Sequence, residues 1–169
     1  MVASGAKGCD VVSSGSKGRS MVMFSGTYEH TFDDKNRLIV PRRLREKIDE
    51  QEEGSGFVVT KGTSRCLFLY TPKTWRQLAE KLAEAAKSDP QAQDFLRMFY
   101  GNAEEVPCDR QGRILISERL KRLADLNREV ALVGVTNRIE VWDLARWNGF
   151  VGEQESAFDQ YGRQVLPNF

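Results

Sequence analysis

From Met23 onward the apolar positions fall into short strand-like runs, separated by turn residues, and longer stripes at helical spacing. Thr27–Phe32 and Leu38–Val40 read as strands on either side of a turn at Asp33–Asn36. Pro41 suits the first position of a helix, where its missing N–H would be unpaired anyway, so a helix is expected over Arg42–Asp49. After a loop at Gly54, Ser55 and Gly56, Phe57–Thr60 and Cys66–Tyr70 read as strands joined by a polar turn. Thr71 and Pro72 open a helix whose stripe, Trp75, Leu78, Ala79 and Leu82, ends near Ser88. Asp89 and Pro90 repeat that start, Ala92, Phe95, Leu96 and Phe99 form the next stripe, and Gly101 stops it.

The pattern then recurs. A shift of 76 positions aligns Asp33 with Asp109, Arg37 with Arg113, Arg43 with Arg119 and Leu44 with Leu120. After a change of loop length, a shift of 72 aligns Gly62 with Gly134, Leu67 with Ile139, Leu69 with Val141, Tyr70 with Trp142 and Trp75 with Trp147. A unit with so few strands cannot close a core alone. Two copies that interleave in one chain bury each other's apolar faces, which predicts a single barrel with a pseudo-twofold axis.

Residues 1–22 are mostly Gly, Ser, Ala and Val, too little apolar surface to offset ordering entropy, and read as a flexible arm. Three cysteines without a C-x-x-C pair argue against a disulfide framework and a zinc site, and point to a reducing cytoplasm. Apolar runs such as Val130–Val135 fall far short of the roughly 20 residues that cross a bilayer, so no membrane partner is expected.

Net charge is only +1, which excludes a uniformly basic polyanion binder, but its distribution is uneven. Residues 33–47 carry six basic and three acidic side chains, and residues 109–122 five and two, so each segment is +3 and the remainder −5. Two basic elements related by a repeat suit a polyanion, because Arg offers a planar donor fork to a phosphate or a guanine edge. Asp33 and Asp109 are poor phosphate ligands and are assigned to shaping the turns, together with Asn36 and Gly112. Arg37 and Arg113 are then either staples across the turn or readers of nucleic acid.

These residues are where the sequence resembles the MraZ transcriptional regulators, double-copy relatives of the AbrB-type swapped-hairpin barrel. The likeness runs from Met23 to about Trp147 through Met23-Phe24-Ser25-Gly26, Asp33 to Arg37, Val40-Pro41, Arg43 with Arg45-Glu46, Gly112-Arg113, Leu132 to Arg138 and Glu140 to Asp143. It implies an α+β fold in which two tandem repeats form an AbrB-like β-barrel with flanking helices. The expected divisions are an arm over 1–22, repeats over 23–100 and 101–151, and a tail over 152–169.

The implied function is sequence-specific binding of double-stranded DNA at repeated promoter boxes. The implied targets are the division and cell-wall gene cluster, including the protein's own gene. A ring-shaped homo-oligomer in the cytoplasm, associated with the nucleoid, and no cofactor are also implied. Lys35, Arg37 and Arg113 carry over as DNA contacts, and Arg110 joins them in the second turn. Arg43 and Arg45 match family positions that either touch DNA or support the barrel. The chain departs from the family with Asn36 at a position usually held by Gly; between its own copies, Gln111 stands opposite Lys35 and Ser117 opposite Pro41.

Rival classes have weaker support. His30, the lone histidine, lacks a paired nucleophile and orienter, and Cys66 and Cys108 lack an activating base, so an enzyme is not expected. Trp75, Trp142, Trp147, Phe95 and Phe99 suit a core or a protein-interaction scaffold, with an AbrB-like antitoxin as a variant. Phe158, Tyr161 and Val165 either dock on a neighbour or belong to a plain tail.

Overall fold

Inward-facing Leu38 and Ile114, outward-facing Arg37 and Arg113, and the turn before each strand organise the computed structural model, which describes residues 22–87 and 89–166. The expected arm, apart from Val22, and the expected helix end at Ser88 lie outside those residues. Val22 itself, placed in the arm by composition, is buried in the core.

The first copy contains β1 (Phe24–Thr31), β2 (Arg37–Ile39), α1 (Arg42–Arg45), α2 (Glu50–Glu53), β3 (Phe57–Lys61), β4 (Leu67–Tyr70), α3 (Pro72–Ala85) and α4 (Pro90–Gly101). The second contains β5 (Glu104–Val106), β6 (Arg113–Leu115), α5 (Glu118–Leu123), β7 (Glu129–Thr136), β8 (Arg138–Asp143) and α6 (Leu144–Val165). The expected helix over 42–49 divides because Asp49 caps a new start: its backbone is extended and its carboxylate accepts from the Gln51 amide at 3.0 Å. Cys66, expected to open a strand, precedes β4 and donates its thiol to the Thr63 carbonyl.

An antiparallel six-stranded sheet has the order β1-β7-β8-β4-β3-β5, and β2 and β6 form a separate two-stranded ribbon. Exchanging the copies leaves both orders unchanged. Each copy's first strand hydrogen-bonds to the other copy, β1 to β7 and β5 to β3. Leu38 pairs with its own counterpart Ile114, and Phe68 with its counterpart Glu140, so a pseudo-twofold axis passes through both pairs.

Register corrects the alignment of the hairpins. Lys61 pairs with Leu67, and Gly134 with Ile139, which makes Lys61 rather than Gly62 the counterpart of Gly134; the second hairpin is one residue shorter. Between sheet and ribbon lies the main core, in which Leu38, Val40, Leu44, Leu69, Leu120, Leu132 and Ile139 are fully buried. On the other face of the sheet Phe68, Tyr70, Phe99, Val133 and Trp142 pack with Trp75, Leu78, Leu82 and Trp147 from the helices. Both faces of β4 are therefore covered, which explains its unbroken apolar run.

Thr71 and Asp143 cap α3 and α6 at equivalent positions, accepting from the amides of Thr74 and Arg146. The first copy then turns back into α4, whereas α6 continues straight through the expected boundary at 151/152. From Val151 to Val165 all of its residues except Gly162 are exposed.

Candidate nucleic-acid interface

The two turns are built by one set of local bonds. In the first, Asp33 Oδ1 accepts from the amides of Lys35 at 2.9 Å and Arg37 at 2.8 Å, while Oδ2 accepts from Arg37 Nε at 2.6 Å. In the second, Asp109 Oδ1 accepts from the amides of Gln111 and Arg113, both at 2.9 Å, and Oδ2 from Arg113 Nε at 2.7 Å. Each turn closes with an amide bond back to the Asp carbonyl, from Asn36 or Gly112. Those two residues have φ of 57° and 79°, the left-handed conformation open to glycine and next most readily to Asn. Asp33, Asn36, Asp109 and Gly112 all take part in these turn bonds.

The carboxyls of Asp33 and Asp109 are held below the usual carboxylate range, first by the Arg amide at the far end of the turn. The guanidinium and the intervening amide add to that effect, against a smaller opposing push from desolvation.

Alternation along the ribbon decides what the turns present. Arg37 lies opposite Leu115, and Ile39 opposite Arg113, while Leu38 and Ile114 between them are buried. With a side-chain period of two, Arg37, Ile39, Arg113 and Leu115 share the outer face. Ile39 is 45% exposed and Leu115 55%, so the patch pairs two guanidinium groups with two aliphatic side chains. Each Arg is engaged through Nε, and among the described residues neither Nη edge has a hydrogen-bond partner. The arginines are thus staples whose outer donor edge remains open. Sequence reasoning missed Ile39 and Leu115, although the apolar Leu38 and Ile114 at the intervening positions carried the signal.

The remaining candidates separate. Lys35 and Arg110 are exposed at the turn tips. Arg43 is exposed, whereas its counterpart Arg119 is tied to Asn102 and Glu104. Arg45 lies half-buried, donating Nε to the Val40 carbonyl at 3.0 Å and pressing on the second turn: a Cβ at Gly112 would stand 2.5 Å from its Cζ. Its counterpart Lys121 instead donates to Asn36 Oδ1 at 2.8 Å and lies 4.6 Å above the Phe32 ring. Arg45 and Lys121 each brace the turn of the other copy.

Elsewhere, burial lowers the His30 pKa and pushes the Cys66 thiol up to about 12 and that of Cys108 above its ordinary value, the reverse of nucleophile activation. A profile of the MraZ protein family, described as antitoxin-like, matches residues 23–98 and again residues 99–168. The chain belongs to the MraZ family. The two matches are tandem MraZ domains, and MraZ is a family of regulator type rather than of enzymes. Its antiparallel sheet and helices give this member a mixed α/β fold. Among the described residues no helix is long and apolar enough to cross a membrane.

Proposed function

We propose that this MraZ member is a sequence-specific DNA-binding regulator whose β2–β6 ribbon enters the major groove. The observation that carries this reading is the shared outer face of Arg37 and Arg113, each preorganised by its own turn and related by the pseudo-twofold axis. A major groove about 12 Å wide admits a two-stranded ribbon, open Arg edges match guanine O6 and N7, and aliphatic side chains match thymine methyl groups. Lys35, Arg43 and Arg110 flank the ribbon as phosphate contacts. The sheet and ribbon act as a closed swapped-hairpin barrel that holds the two turns in fixed relation.

The targets in this reading are repeated promoter boxes of the division and cell-wall gene cluster, bound at the nucleoid in the cytoplasm. Self-assembly supplies the multiple sites. The projecting half of α6 carries exposed Phe158, Tyr161 and Val165 along one side, and an apolar groove of about 420 Å³ lies at Phe68, Phe95, Met98 and Phe99. Asp159 and Arg163 border the stripe, and Lys61 and Asp94 the groove, an arrangement of opposite charges that suits a second copy. Stripe and groove are different surfaces, so their contact is head-to-tail and closes into a ring when the rotation allows.

The test is a mobility-shift titration of DNA upstream of the protein's own gene across a salt series, with unrelated DNA as competitor. Retarded bands that survive competitor support the reading. Equal affinity for both DNAs removes sequence-specific regulation, and stoichiometric co-purification of a small unrelated protein favours the antitoxin reading.

A further inference from the structure

The two copies also differ beside the second turn. There a cleft of about 470 Å³ opens between the α1–α2 segment and the turn, with Ile48, Phe57 and Cys108 as its apolar surface and Arg42, Arg45 and Arg110 as its cations. At the equivalent place in the other half, Phe32 stands where Cys108 would be; it is 2% exposed, with Lys121 lying over its ring. The counterparts of Arg42 and Arg110 are Glu118 and Asp34, while that of Glu46 is Arg122, so the charges are arranged differently in that half. Since both turns make the same bonds, neither the opening nor the arginines are required to build a turn.

Three acidic groups also line the cleft, and two are committed. Glu46 accepts from Arg42 Nε at 2.5 Å and Asp109 from Arg113 Nε at 2.7 Å, which leaves Glu50 as the lining carboxylate with no ion pair among the described residues. Among the described residues Arg110 has no ion pair, and Arg45 uses only Nε, toward the Val40 carbonyl. The unmatched donors therefore lie beside apolar surface, the combination that orients a small ligand with one charged end.

We infer that this cleft binds a small oxyanion, a phosphate or carboxylate carried on an apolar body, and that occupancy lowers DNA affinity. The anion meets Arg45 and Arg110 while the body covers Ile48, Phe57 and Cys108. The second effect rests on the DNA-binding reading: a ligand that holds Arg110 takes it from the nucleic acid, and one that draws Arg45 from Gly112 releases the brace on the second turn.

The probes are phenyl phosphate and benzoate, with phenol and sodium chloride at matched ionic strength as controls, added to the full chain. Without DNA, a probe is expected to raise the melting temperature in a concentration-dependent way. Cys108→Phe, which introduces the residue of the other copy, and Arg110→Ala, which changes an exposed side chain, are both expected to abolish the rise. With DNA, a probe at ten times its dissociation constant is expected to weaken wild-type binding up to about tenfold, and Cys108→Phe not at all. No rise beyond the controls, or a rise retained in Arg110→Ala, overturns the inference even if Cys108→Phe does not fold. A normal rise without measurable DNA binding by wild type refutes the regulator reading and supports the ligand site.

Discussion

Replacing Arg37 by Ala separates a reader from a mere staple, because the two roles spend different parts of one guanidinium. Nε is committed to Asp33 at 2.6 Å, and the Nη edge is free on the outer face of the ribbon. An Arg edge that makes a bidentate guanine contact discriminates by about 1–3 kcal/mol, or about 5- to 150-fold in affinity. If it meets a phosphate instead, the log–log salt slope becomes shallower by about 0.9. Arg113 occupies the related position with a separate partner, Asp109, so the two losses are expected to add to about 2–6 kcal/mol in the double variant. The lost ion pairs are half-exposed and screened by solvent, so each contributes little to stability and the fold should survive. Fluorescence anisotropy over a salt series, beside thermal melts of the same samples, gives both readouts. A single variant with wild-type affinity and slope but a lower melting temperature would refute the reader role.

Acid should loosen the turns. The carboxyls of Asp33 and Asp109 are depressed in the folded chain, so their stabilisation is present above the ordinary Asp value of about 3.9 and is lost as pH falls through the lower folded values. Melts below about pH 4 should therefore show a steeper decline for wild type than for Asp33→Asn/Asp109→Asn; parallel curves would show that the bonds add no pH-dependent stability. Gly112→Ala should cost about 1–3 kcal/mol in chemical denaturation, because it places a side chain at φ 79° and against Arg45, and an unchanged midpoint would contradict the bracing role. For the assembly, Phe158→Asp in the exposed α6 stripe should shift the mass measured by light scattering toward the single chain, and an unchanged mass would exclude that surface. Altering the spacing between promoter boxes should weaken binding more than one base change within a box, since linked sites gain only where geometry permits simultaneous contact; equal losses in a titration would count against avidity.

What the sequence by itself determined was local or internally repeated. Asp-x-x-x-Arg carries its own bonding partners within five residues, so the turns and the positive φ of Asn36 were legible without knowing the fold. The Pro72 and Pro90 starts with their Thr71 and Asp89 caps were equally local, whereas Pro41, expected at the first helical position, instead precedes α1 as its cap residue; the duplication was visible as matched spacing. Only the tertiary structure decided that β1 pairs with β7, that Lys61 matches Gly134, and that Ile39 and Leu115 join the arginines on one face. It also turned Arg45 toward the other copy and carried α6 through the expected boundary. Those outcomes depend on contacts between residues far apart in the chain, where register and packing choose among side chains that composition leaves equivalent. The cleft beside Cys108 has the same origin: the fold buries its counterpart Phe32 in the core under an α5 lysine and leaves Cys108 partly exposed.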